Sequence, residues 1–84
     1  MIEKEFKDSQ YANYVKGKLE DSYNALFHLM QIEDMESLAM ERFHKASEIL
    51  WVLHELGIYD DLERKEKYSY LSKEYIRKIG TYKF

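Results

Sequence analysis

One pair of residues in this chain has the spacing of a metal ligand set: Glu41 and His44, an E-x-x-H within Glu41-Arg42-Phe43-His44. Di-iron four-helix proteins combine two such motifs with two further glutamates, all facing the bundle interior. A single copy per chain would need a dimer to complete the set. Helical phase turns Glu41 and His44 away from the apolar stripe of their own segment. The upstream glutamate, Glu20, falls opposite about Ala46 in a hairpin, not opposite Glu41. The spacing therefore predicts no metal and no cofactor. His28, His44 and His54 make no ligand set either, because His44 and His54 are ten residues apart, nearly three helical turns.

Covalent catalysis has equally little to work with. There is no cysteine, no G-x-S-x-G turn and no glycine-rich phosphate loop. The adjacent carboxylates Asp60 and Asp61 read as helix caps, not as an acid/base pair. The expectation is a non-enzymatic protein.

The constellation that stands out is a second stripe on the middle helix: Met40, His44, Ser47, Trp51 and His54, at i, i+4, i+7, i+11 spacing off its main apolar face. It has two readings. A middle helix must touch both neighbours, so the stripe can receive the third helix. Alternatively it is a contact surface centred on Trp51, since Trp, Met and Tyr are enriched at interface cores. In the second reading Met40, His44, Trp51 and His54 carry the contact, with Phe27 and Tyr23 of the first helix as outer members. A chain this small and this aromatic has more apolar surface than three helices readily hide, which predicts a homodimer. The corresponding function is a regulator, inhibitor or adaptor that acts by binding another protein.

The competing reading is nucleic acid. Lys73, Arg77, Lys78 and Lys83, interleaved with Tyr70, Tyr75 and Tyr82, form a basic and aromatic C-terminal element, and two helices joined by a short Gly-containing turn resemble a helix-turn-helix. Against it stand a pI near 5.6 and the Asp60-Asp61 pair at the head of the helix that would read the bases, which would repel phosphates.

These side chains must be positioned by helices. The chain has no proline and three glycines, so it lacks the turn residues a sheet requires. A first helix is predicted from about Ser9 to Gln31, capped by Asp8 or Ser9. Its apolar stripe would be Tyr11, Tyr14, Val15, Leu19, Ser22, Ala25, Leu26, Leu29 and Met30. A second is predicted from about Met35 to Leu56, capped by Asp34 and ended by a left-handed Gly57. Its stripe is Met35, Leu38, Ala39, Phe43, Ala46, Ile49, Leu50, Leu53 and Leu56. The link Gln31-Ile32-Glu33-Asp34 has no helix breaker, so one continuous helix is the alternative. The two apolar faces differ by about half a turn at 100° per residue, which favours an αα-hairpin. A third helix runs from Asp61 to about Ile79, with Tyr68, Leu71, Tyr75 and Ile79 as its stripe and Ile76 beside it. The first eight residues read as an arm in which Phe6 can dock, and residues 80–84 as a short tail. The fold expected is an all-α three-helix domain spanning the 84 residues.

Bulk properties bound the rest. The start of the chain is charged and lacks an apolar signal region. The longest apolar run, Ile49 to Leu53, is far short of the ~20 residues a membrane span needs. A soluble, cytoplasmic protein is expected, in keeping with the absence of cysteine. Charge is uneven. Met1–Leu62 carries 6 basic and 13 acidic residues, net −7, whereas Glu63–Phe84 carries 7 basic and 3 acidic, net +4. Either the basic third helix packs on acidic neighbours, or the two ends address different partners.

Overall fold

The computed structural model describes residues 10–83 and is all-helical over that range. Three α-helices, α1 (Gln10–Ile32), α2 (Glu36–Glu55) and α3 (Asp61–Gly80), are followed by one 3₁₀ turn, Thr81–Lys83. The caps predicted for the first helix at Asp8 or Ser9, the arm over residues 1–8 and the docking of Phe6 lie outside the described residues. No described helix is long and apolar enough to cross a membrane.

The break between α1 and α2 falls at residues 33–35, so the chain forms a hairpin and not one continuous helix. The cap differs from expectation by one residue. Met35, not Asp34, is the N-cap, in extended conformation and without a side-chain hydrogen bond to the first turn. The Met35 carbonyl instead accepts from Leu38 and Ala39 N–H, at 3.1 and 3.0 Å. Met35, predicted as core, is consequently exposed at the outside of the turn. Arg42 reaches back from α2 to Glu33 at 3.6 Å and ties the turn to the helix that follows it.

The second corner is built as predicted. Gly57 has φ 77°, a left-handed conformation that costs a Cβ-bearing residue about 1–2 kcal/mol. Gly57 N–H donates to the His54 carbonyl at 2.9 Å and Ile58 N–H to the Leu53 carbonyl at 3.0 Å. These two bonds are the Schellman closure, which satisfies carbonyls at a helix end that have no partner within the helix. Ile58 and Tyr59 then turn into the core. Asp60 caps α3 through a reciprocal box, its carboxylate accepting from Glu63 N–H at 2.7 Å and the Glu63 carboxylate from Asp60 N–H at 3.1 Å.

Helix α2 is central. It buries Ala39, Phe43, Ala46, Leu50 and Leu53, which meet Tyr23 and Met30 of α1, Ile58 and Tyr59 of the corner, and Leu71 of α3 in one core. From Tyr59–Glu20 at the corner, through Phe27–Tyr70, to Lys78–Gln31, the pairings progress in the same direction along both segments, so α1 and α3 run parallel.

The buried arc of α1 differs from the predicted one. Tyr11, Tyr14, Ser22 and Ala25 are exposed, and Leu29 lies at the edge of exposure. The inward face is instead Ala12, Val15, Leu19, Tyr23, Leu26, Phe27 and Met30, still at i, i+3, i+4 spacing but rotated by roughly a quarter turn. Residues 80–84 were expected as a tail. Gly80 closes α3, and Tyr82 packs against the core and donates its hydroxyl proton to the Glu33 carbonyl.

Candidate interaction site

The residues proposed from sequence as a contact surface stay together in part: Met40, His44, Trp51 and His54 share one side of α2, whereas Tyr23 and Phe27 turn elsewhere. Tyr23 is buried in the core, and Phe27 packs half-buried against it, their centroids 6.0 Å apart. Phe27 also stacks on Tyr70 of α3 at 5.4 Å and 8°. Both are therefore occupied in joining α1 to its neighbours and are not outer members of the Trp51 surface. The signal that misled is the rotated α1 face: once Tyr23 points inward, Phe27, four residues on, follows it.

His54 is half-buried, its Nδ1 donates to the Tyr59 carbonyl at 3.1 Å, and its ring meets Trp51 edge-on at 5.8 Å, so it joins the Trp51 stripe to the α2–α3 corner. Ser47 hydrogen-bonds its own helix through the His44 carbonyl at 2.9 Å. Met40, His44 and Trp51 remain at the surface on one side of α2, with Met40 45% and Trp51 49% exposed. Their setting combines the two readings of the stripe. Helix α3 lies alongside and contacts Trp51 through Arg64, whose guanidinium carbon stands 4.2 Å from the ring centroid. It does not cover the stripe. Tyr68 of α3 is exposed at its outer side and packs its ring toward the buried Phe43, centroids 6.2 Å apart.

Arg64 was not distinguishable from its charged surroundings in Glu63-Arg64-Lys65-Glu66-Lys67. Its side chain is only 12% exposed and pairs with Asp61 at 3.1 Å, while its Nε makes no hydrogen bond within the described residues. The Arg64 guanidinium, with Lys65 beside it, holds the Asp61 carboxyl below its ordinary value.

The metal-like pair is at the surface. Glu41 and His44 are both exposed, and Glu41 lies 4.0 Å from both Arg42 and Lys45. Among the described residues no group of three His, Asp or Glu is placed to hold a metal ion.

Two of the four basic residues considered for nucleic acid serve contacts within the chain. Arg77 pairs with Glu74, whose carboxyl it holds down, and Lys78 Nζ donates to the Gln31 carbonyl at 2.8 Å. Helix α1 has no basic residue in its own last turn, so Lys78 supplies the cation that its C-terminal dipole favours. Lys73 is exposed, and the Lys83 side chain lies outside the described part. The charge asymmetry thus finds at least part of its use in packing the basic helix on α1.

One buried contact escaped sequence reasoning altogether. The Tyr59 hydroxyl donates to the Glu20 carboxylate, linking residues 39 apart in sequence. Burial, then the hydrogen bond to Glu20, push the Tyr59 hydroxyl well above the ordinary phenol range. No known family, curated protein or solved structure matches this chain.

Proposed function

We propose that this protein is a non-enzymatic interaction module, a regulator, inhibitor or adaptor that works by binding another protein through the α2 surface around Trp51. The observation that carries this reading is that Trp51 stays 49% exposed after α3 has docked, on the same side of α2 as the exposed Met40 and His44. A half-exposed Trp held in place by an Arg has its ring orientation set before any partner arrives. Such pre-ordered aromatic anchors are what interface hot spots use. The same surface is proposed to pair two copies as a homodimer, and the setting is proposed to be the cytoplasm, where a chain without cysteine loses nothing. Nucleic-acid binding by α3 has less support, because Lys78 already binds the end of α1 and Arg77 is paired with Glu74 of its own helix.

Trp51 is the single tryptophan, so its emission reports directly on this surface. Light scattering and Trp fluorescence are measured together across a concentration series, on the wild type and on Met40→Asp. Expected are a mass rising toward a dimer, a blue shift of emission with it, and neither change in Met40→Asp. A mass that stays monomeric with unshifted emission removes self-association. If Trp51→Ala and Met40→Asp then also leave every binding partner in place, the interaction surface goes with it.

A further inference from the structure

Away from Trp51, the parallel helices α1 and α3 leave between them an open groove of about 630 Å³. We propose that this groove is a second binding site, one that takes an arginine side chain from a basic segment of a partner protein.

The lining contains the two parts that recognise a guanidinium. The first is aromatic: Tyr23, Phe27 and Tyr70 all reach the groove, with Phe27 and Tyr70 stacked nearly parallel, 8° between their planes. Tyr70 is 59% exposed, so much of its ring is uncovered. A planar cation is attracted to such a face by the ring quadrupole. The second part is acidic: Glu63 and Glu66, one turn apart on α3. One Glu63 oxygen accepts from the cap of its helix, and Glu66 makes no ion pair among the described residues. Lys67 also lines the groove, but its ammonium sits over the Tyr59 ring at 5.8 Å. Two carboxylates against one ammonium leave the lining net negative.

The chain already makes this kind of contact once. Arg64 lies over Trp51 while pairing with Asp61, a carboxylate three residues before it on the same helix. The groove likewise has a ring and a carboxylate in its lining, Tyr70 and Glu66, one turn apart on α3. Arginine is favoured over lysine because its flat, forked head can stack on a ring and bridge to a carboxylate together, which a compact ammonium cannot. The volume suits one side chain with its flanking backbone, because pockets of this size hold small ligands.

The test uses the full chain labelled with ¹⁵N and titrated, at physiological salt, with a short peptide of alternating arginine and alanine. Parallel titrations replace arginine with lysine or with glutamine. Expected are amide shifts at Tyr23, Phe27, Glu66 and Tyr70 with the Trp51 indole N–H unmoved, weaker binding of the lysine peptide and none of the glutamine peptide. Glu66→Gln and Tyr70→Ala should each weaken the arginine peptide by about tenfold, the scale of one desolvated cation–π or ionic contact. Trp51→Ala should leave it unchanged, so failure here is separable from failure of the Trp51 surface. Glu66 is exposed, and its amide variant keeps the fold even if Tyr70→Ala does not. No binding, shifts centred on Trp51 or spread over the acidic surface, or wild-type affinity in Glu66→Gln would each overturn the proposal.

Discussion

Arg64 rests on the face of Trp51 at 4.2 Å, and this contact latches the first turns of α3 to the last turns of α2. It joins the two sides of the Gly57 corner through side chains, where the Schellman closure joins them through backbone. It also decides how Trp51 meets solvent, since the same guanidinium holds one face of the ring and is itself anchored by Asp61.

Removing the guanidinium should therefore loosen the corner and free the indole. Arg64→Ala is expected to cost about 1 kcal/mol, in the range of a partly buried cation–π contact. For a domain of this size that lowers the melting temperature by roughly 4–8 °C. The Trp51 emission should shift to the red. Arg64→Lys, which keeps the charge but not the plane, should fall between. Thermal melts followed by fluorescence measure both effects together, and an unchanged emission maximum in Arg64→Ala would mean that the contact does not persist in solution.

Two glycines should respond in opposite directions. Gly17 sits in the interior of α1, with nothing within 4 Å of the position a Cβ would take. Gly17→Ala is expected to stabilise by about 0.5–1 kcal/mol through helix propensity and a less free unfolded chain. Gly57→Ala, at φ 77°, is expected to destabilise by about 1–2 kcal/mol. Urea melts of the two variants against wild type give the signs directly.

Leu71 anchors α3 in the core and is fully buried. Leu71→Ala should cost about 2–5 kcal/mol, the cavity range for a buried leucine. That is a large share of the stability available to so small a domain. Circular dichroism should show either a much lower melting temperature or a chain that is largely unfolded at room temperature, and a melt close to wild type would contradict the burial.

Alkaline pH should unfold the protein through its buried tyrosines. Burial pushes the Tyr23 hydroxyl up to about 12, and Tyr59, buried and bonded to Glu20, is raised further. In the unfolded chain both ionise near the ordinary value of 10.0. A raised folded value means that stability is intact below the unfolded value and is lost as pH climbs toward the folded one. Stability should thus fall progressively above about pH 10. Tyr59→Phe, which cannot ionise, should reduce that dependence. Urea midpoints against pH, with tyrosinate absorbance followed alongside, provide the check.

Much of this fold could be read from residue order because helix formation and termination are local. Apolar spacing, the absence of proline, Gly57 and the Asp60/Glu63 box act within a few residues of themselves, and the joint near residues 32–34 followed from the phase flip between two stripes. Local chemistry also set the nature of the Trp51 stripe. It could not say how α1 would turn about its own axis. Apolar residues surround much of that helix, from Tyr11 and Tyr14 through Phe27 to Leu29, so periodicity established a helix without choosing its inward arc. The choice came from the contacts α1 makes with two neighbours at once, Met30 and Tyr23 in the common core and Phe27 on Tyr70. The same holds for Tyr59 with Glu20 and for the groove between α1 and α3. Their members are some forty residues apart, and nothing local couples them. Three helices and their two corners follow from residue order alone, because they depend on near neighbours; which faces meet, and what lies between them, comes from packing around α2.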